Sequence, residues 1–263
     1  LTLVGGFAST LSFPAAAWLI ARYDWRIALA IIGAVLLVLV APLHAWALRG
    51  TPPRTVRSQA HDPANELARD ATLHEALRER SFWLLTVTFT LYSFASAAMW
   101  AHMMPAFAAK GRDEAQALAV VVWFGPAQVA GRLAYLGFGR WVSPRVLGLW
   151  VLAGLPVSMA IFALADQTAA LLVFALLFGV ANGLVTIVRG SLVPAYFGRE
   201  HVGRISGAMT GISLLARASA PLLTAWLLLA LPGYREMLLV LAAVGSAAVV
   251  AFALARKPAA AAG

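Results

Sequence analysis

Eight apolar stretches recur along the chain, at about 1–20, 27–48, 82–105, 115–138, 146–165, 168–193, 204–230 and 236–255, each bounded by charged residues or by proline and glycine. Each is long enough to cross a hydrocarbon core of roughly 30 Å as a helix. With 62% of residues hydrophobic, 12% charged and a mean hydropathy of +0.82, a water-soluble globule is excluded. A strand barrel needs short alternating segments, which are absent. Lipid offers no hydrogen bonds, so backbone groups must pair within their own element. The expected fold is therefore all-α, a polytopic membrane helical bundle.

One long polar insert interrupts the series. From Arg49 to Arg80 it carries Pro52, Pro53, Pro63 and six arginines, and it reads as a linker between two bundles. Residues 1–48 then form the end of one half, 49–80 the linker and 81–263 a six-helix second half. Thr72 followed by Glu75 has capping-box spacing ahead of Leu73, Ala76 and Leu77, which predicts a short amphipathic helix leading into Ser81, Phe82 and Trp83. If the halves are repeats, six spans after the linker against two before it put four more helices upstream. Pro14, Trp18 and Trp25-Arg26 are echoed by Pro221, Trp226 and Tyr234-Arg235, with spacings differing by one or two residues. The chain starts at Leu1 without a charged segment before an apolar one, so the start does not read as a signal peptide, and a piece of a longer protein is expected.

The net charge of +9 is spread between spans rather than gathered on one solvated element, which argues against nucleic acid. Counted over alternate connections, one side holds twelve basic residues, including Arg49, Arg80, Arg140, Arg145, Arg199, Arg204, Arg256 and Lys257, and the other holds five. Basic residues near span ends stay in the cytoplasm, so the linker and the C-terminus are expected there, in a cell (inner) membrane. With no cysteine, disulfides and thiol chemistry are excluded.

Helical spacing converts polar residues into faces. The seventh span puts Ser206, Thr210, Ser213, Arg217, Pro221 and Thr224 on one stripe, with Met209, Ile212, Leu215 and Trp226 expected opposite and Gly203, Gly207 and Gly211 beside it. Such small-xxx-small patterns let another helix approach closely. The sixth span repeats the arrangement with Asn182, Thr186 and Arg189 beside Gly179 and Gly183. The third aligns Thr86, Thr90, Ser93 and Trp100; the fourth Gln128, Arg132 and Tyr135; the first Thr2, Gly5, Ser9 and Ser12. Spans two, five and eight are almost wholly apolar and are expected to form a lipid-facing shell around a central aqueous cavity.

Arg217 lies near mid-span, where a cation costs roughly 2.5 to 3.5 kcal/mol on insertion scales. All eleven acidic residues fall in connections or at span ends, so an anionic solute or a carboxylate upstream is the expected counter-charge. Arg189 lies nearer the cytoplasm and is a second candidate contact. Arg132, close to a span end, reads as a gate or anchor, with Arg140 and Arg145 in the adjoining loop. His102 has the right chemistry for a proton carrier, but its position across the span from Thr90 and Ser93 favours an interfacial role. P-loop, H-E-x-x-H and G-x-S-x-G motifs are absent and the five histidines lack ligand spacing, so no enzyme, cofactor or metal is expected.

Two segments resemble the major facilitator superfamily. Gly125-Pro126-Ala127-Gln128-Val129-Ala130-Gly131-Arg132 is similar to the family's eighth helix, and Tyr196-Phe197-Gly198-Arg199-Glu200-His201-Val202-Gly203-Arg204-Ile205-Ser206-Gly207 to its loop into helix eleven. Phe13-Pro14 with Asp24-Trp25-Arg26, and Arg80-Ser81-Phe82-Trp83, resemble the bacterial branch of monocarboxylate and oxalate/formate carriers. The resemblance implies helices five to twelve of a twelve-helix carrier, two halves rocking around a midplane site, helices seven and ten lining the cavity, and eight and eleven between the halves. Gly139-Arg140 stands where the family usually carries Asp-Arg, so the resemblance implies a charge-paired gate that is either weakened there or supplied from elsewhere.

The resulting expectation is a secondary active transporter of a small organic solute, an anion such as a carboxylate. Its contacts are Arg217 and Arg189, with Asn182, Thr186, Gln128, Thr90 and Ser93 as polar lining, and a proton or counter-solute is a candidate coupling partner. An exporter of hydrophobic drug-like compounds and a non-transporting scaffold or sensor stay open as alternatives.

Overall fold

Where the apolar period is uninterrupted, the computed structural model forms helix; it describes residues 12, 15–49 and 70–257. Among the described residues there are seven helical spans long and apolar enough to cross a membrane, and no strand. The first expected span lies largely outside them, with residues 15–23 helical, as do Thr2, Gly5, Ser9, Phe13, Pro14 and most of the linker.

The second span comprises α1 (Trp25–Val35), a wide π-helical turn (Leu36–Val40) and α2 (Ala41–Leu48). Pro42 explains the wide turn, because it has no N–H to give the carbonyl four residues back. Asp24 starts α1, its carboxylate accepting the Trp25 N–H at 2.6 Å. The expected capping box is present ahead of α3 (Leu73–Arg78): Thr72 accepts from the Glu75 N–H and Glu75 accepts from the Thr72 N–H. Just before it, Asp70 Oδ1 accepts the backbone N–H groups of Arg199 and Glu200, and the Ala71 N–H donates to Phe197 O at 2.9 Å. Gly198 makes this possible, since its φ is +83° and a Cβ there would collide with Asp70 Oδ1.

The chain continues as α4 (Arg80–Ala109), α5 (Glu114–Val121), α6 (Phe124–Phe138), α7 (Pro144–Leu164), α8 (Thr168–Phe197), α9 (Val202–Leu228) and α10 (Tyr234–Leu254). The fourth span is thus broken rather than continuous. Pro126 cannot donate to the Val122 carbonyl, and the chain turns at Val122 and Trp123 before resuming. Neighbours run in the order α6, α8, α7, α10, α4, α9. Across the inside of this arc α4 meets α8 through side chains, with Trp100 edge-on to Phe178 and Ser96 bonded to Asn182.

Two expectations are corrected. Spans five and eight, α7 and α10, are not simply an outer shell: half of the most apolar stretch of α7 and 44% of that of α10 is buried. Lipid is as apolar as leucine, so composition alone does not separate a lipid face from a packed one. The distinguishing signal is small residues: a Cβ on Gly148 would lie 2.6 Å from the Phe252 ring, and one on Gly245 3.1 Å from Pro156. The least covered of the six spans from α4 onward is instead the polar-striped α9, at 17%. On α9, moreover, Met209 belongs to the buried face with Ile205, Ser213, Ala220 and Thr224, not to the face opposite.

Candidate functional site

The polar stripes of α4, α8 and α9 converge on one seam. Arg189, half-buried on α8, donates from Nη2 to Thr210 Oγ1 on α9 at 2.8 Å and lies over the Phe89 ring of α4, 5.3 Å from its centroid. Beside it Thr90 of α4 and Ser213 of α9 approach to 3.4 Å. About two helical turns along α8, Ser96 donates to Asn182 Oδ1 at 3.0 Å, while the Asn182 amide donates to Phe178 O at 2.9 Å. A helix places residues three, four and seven apart on one side, which is how Asn182 and Arg189 come to share this seam. Among the described residues no carboxylate pairs with Arg189. Its held guanidinium is suited to a carboxylate or phosphate oxygen, which would gain charge-assisted hydrogen bonds.

Many of these hydroxyls also bond their own backbone. Thr86 donates to Phe82 O at 2.7 Å, Ser213 to Met209 O at 2.9 Å and Thr210 to Ser206 O at 2.5 Å. That is the usual way a hydroxyl is satisfied in a membrane helix, and it leaves the oxygen able to accept a further hydrogen bond.

The remaining expected site residues are distributed. Ser93 is half-buried on α4, one turn from Thr90. Thr186 is exposed on α8 and lies 3.4 Å from Gly183 O. Gln128 is half-buried on α6, its backbone pressed against α8: a Cβ on Gly183 would lie 2.9 Å from Gln128 Cα. Arg217 is exposed on α9, away from the Arg189 seam's hydrogen bonds. The two arginines are therefore not joined by a shared partner.

Three arginines grouped at the sequence level as gate or loop residues have different surroundings. Arg132 is 8% exposed and its Nε donates to Gly183 O at 3.0 Å, tying α6 to α8. Arg140 is exposed over the Trp141 ring, 4.3 Å from its centroid. Arg145 caps the end of α10, donating to Ala255 O at 2.6 Å and Ala253 O at 2.7 Å. Tyr196 donates to the same Ala255 carbonyl at 2.9 Å. His102 is half-buried, its Nε2 3.3 Å from Pro221 O and its ring 6.0 Å from that of Tyr234, so it meets α9 and α10.

Two participants escaped the sequence reading. Phe89 was not singled out because an aromatic on an apolar span reads as core. Ser96 sits three residues after Ser93, and extending that stripe by one turn finds it. Trp100, Phe124, Phe174 and Phe178 continue the seam as an aromatic cluster, with Trp100 5.4 Å from both Phe124 and Phe178.

No curated protein matches the chain. The family model of the Major Facilitator Superfamily matches residues 1–168, from the first expected span across the linker to the start of α8. That stretch is more than half of the chain, and the family consists of membrane transporters for small solutes, in keeping with the spans and the polar seam described above. The chain belongs to the Major Facilitator Superfamily.

Proposed function

We propose that this transporter moves a small organic anion, such as a carboxylate, by alternating access. The observation that carries the reading is Arg189: a half-buried cation in a span, held by Thr210 and the Phe89 ring, with no carboxylate paired to it among the described residues. A cation in that position is costly unless a counter-charge or water meets it, and an anionic solute supplies the counter-charge during each cycle. Thr90 and Ser213 beside it, then Ser93, Asn182 and Gln128, provide neutral donors and acceptors for the rest of the solute. Arg217 and Thr186, exposed on α9 and α8, are assigned to the same pathway at the face that meets the other half. Arg132, Arg140 and Arg145 act at the arginine-rich end, Arg132 by holding α6 against α8 as the halves rock.

The low coverage of α9 supports an architecture in which α6 and α9, the two ends of the arc, lie between this half and a first half to which α1 and α2 belong. The arginine asymmetry supports a cytoplasmic linker and C-terminus in an inner membrane. The units then follow the linker: 1–48, 49–80 and 81–263. Transport of a panel containing a carboxylate, its neutral amide and a lipophilic dye by the full protein in proteoliposomes tests the reading. Uptake of the carboxylate in preference to its amide is expected; equal handling of the two overturns the anion assignment. A second reading, export of hydrophobic compounds, is favoured by the Trp100, Phe124 and Phe178 cluster adjoining the seam, and preferential movement of the dye would select it.

A further inference from the structure

Three helices supply the Arg189 cluster, with Phe89 from α4, Arg189 from α8 and Thr210 from α9. Arg189 stands eight residues before Phe197, Thr210 eight residues after Val202 and Phe89 nine residues after Arg80, all counted from the arginine-rich end of the bundle. At about 1.5 Å of rise per residue, each lies about 12 to 14 Å from that end of its helix, so the three meet at one depth. Their meeting depends on how the helix ends are held.

The ends are held from outside the three spans. Asp70, exposed just ahead of α3, accepts at Oδ1 from the Arg199 N–H at 2.5 Å and the Glu200 N–H at 3.2 Å, in the turn that leads from α8 into α9. Beside them the Ala71 N–H donates to Phe197 O at 2.9 Å. Asp70 has a firm base. The Thr72–Glu75 capping box starts α3, Ala76 of α3 is fully buried, and bonds from the Glu79 N–H to Ala76 O and from the Phe82 N–H to Glu79 O carry the chain directly into α4. Phe82 then sets its ring edge-on to Phe197 at the end of α8, 6.3 Å between centroids.

α9 has little else to fix this end. Its N-cap residue, His201, makes no side-chain capping bond. One side is buried through Ile205, Met209 and Ser213, but Gly203, Gly207 and Gly211 face open space. A carboxylate accepting two N–H groups forms charge-assisted hydrogen bonds, roughly twice as strong as neutral ones. Gly198 is shaped to the same contact, with a φ of +83° and no room for a Cβ beside Asp70 Oδ1.

On the reading of Arg189 as the solute contact, we propose that Asp70 is a positioning residue for transport: by fixing the α8–α9 turn it sets the register in which Arg189 reaches Thr210 over Phe89. It acts through the turn and does not touch the solute. Asp70 belongs to the polar, arginine-rich insert of residues 49–80, so loosening that insert from the turn loosens the site.

The chain has no cysteine, so labels go only where cysteines are introduced. With the full chain in nanodiscs, nitroxides on Gly190→Cys and Gly211→Cys report the separation of α8 and α9 by double electron–electron resonance. These positions adjoin Arg189 and Thr210 and have nothing within 4 Å of an added Cβ. A second pair, Leu133→Cys and Leu176→Cys, exposed on α6 and α8, reports on packing away from the turn. Asp70→Ala is expected to widen the first distance distribution about twofold, to leave the second unchanged, and to speed amide exchange at Arg199 and Glu200 about tenfold. Asp70→Asn keeps an oxygen for the two N–H groups and is expected to hold the parent width. Because Asp70 is exposed, its replacement opens no cavity in the core. Gly198→Ala, which breaks the same contact from the other side, is expected to reproduce the widening. No solute is present, so the outcome is independent of the carboxylate and amide uptake comparison, which alone decides whether the cargo is an anion. A first distribution that keeps its width in Asp70→Ala, an equal widening of both pairs, or unchanged exchange at Arg199 and Glu200 overturns the proposal.

Discussion

α8 and α9 carry nearly the same sequence device and use it differently. Each has glycines at four-residue spacing beside a polar stripe that includes an arginine, Arg217 near the middle of α9 and Arg189 in the last third of α8. On α8 the glycines are filled: a Cβ on Gly179 would lie 2.7 Å from Ala127 Cβ and 2.8 Å from Phe124 O, and one on Gly183 2.9 Å from Gln128 Cα. On α9, Gly203, Gly207 and Gly211 have nothing within 4 Å of such a Cβ. The arginines follow suit, Arg189 held by Thr210 and Phe89, Arg217 exposed. A small-residue pattern therefore declares that a face can take a close neighbour, and the neighbour's own shape decides whether it does. α6 fits α8 because Ala127 and Gly131 are small on the facing side; a Cβ on Gly131 would itself lie 3.1 Å from Val180.

The largest effect expected from this difference is steric. Gly179→Val drives a branched side chain into the α6 backbone, which cannot rotate away, and overpacking of this kind costs about 1 to 3 kcal/mol or more. A clear fall in the thermal midpoint of the purified protein is expected, together with poor yield. Gly207→Val on α9 meets open space among the described residues and should shift the midpoint far less. Comparable losses for both would mean that α9 has a close partner that the described residues do not include, which sharpens the proposal that it faces the other half.

Next in size is the pair of arginines. Arg189→Gln removes the charge but keeps a donor toward Thr210, and the loss of one charge-assisted contact of about 1.5 to 3 kcal/mol raises the KM for the anionic solute roughly tenfold to a hundredfold. Arg217→Gln, at a side chain with no fixed partner among the described residues, is expected to change KM less. The readout is initial uptake rate against solute concentration in proteoliposomes. An inverted order would make the exposed cation the principal contact and reduce Arg189 to a strut between α8 and α9.

A smaller effect tests whether the seam itself is a structural unit. Ser96→Ala leaves Asn182 Oδ1 without its α4 donor, and a neutral hydrogen bond contributes about 0.5 to 1.5 kcal/mol. Ser213→Ala loses only the long 3.4 Å approach to Thr90 and its own backbone bond, so it should be nearly silent. Urea or thermal unfolding in detergent distinguishes the two. If Ser213→Ala is the more damaging, α9 is held to α4 more tightly than its low coverage implies.

Much of this was legible in the sequence, and the limits have physical causes. The spans were visible because apolar length is what a bilayer selects. The Thr72–Glu75 capping box was visible because its chemistry is local, and it is present in the structure. The interruption at Val122 and Trp123 was hidden by the unbroken apolar character around it, though Pro126 announces it. The face of α9 carrying Met209 was misjudged because polarity marks a stripe without saying which of its edges a neighbour covers. Arg145 and Arg132 look alike as span-end arginines, yet one caps α10 and the other crosses to Gly183 O, choices that depend on which carbonyls tertiary packing leaves nearby.

The last contrast lies at the opposite end of the bundle, where α8's side is clasped by charge. Lys110, 12% exposed, donates to Ala165 O and to Asp166 Oδ1, each at 3.0 Å, fastening the end of α4 to the turn between α7 and α8. The Lys110 hydrogen bond, then its charge, with smaller help from Arg235 and Arg112, holds the Asp166 carboxyl below its ordinary value. Because the folded-state value lies below the unfolded one, the carboxylate adds stability above the unfolded value of about 4, and that contribution drains away as the pH falls through the lowered folded value. Asp166 is 84% exposed, so solvent screens the pair and the effect is small. Asp166→Asn should flatten the acid limb of thermal stability slightly while leaving neutral pH nearly unchanged, since Lys110 keeps its carbonyls. An acid limb of the same slope in the variant would place the titrating group elsewhere and leave the carbonyls as the whole of the clasp.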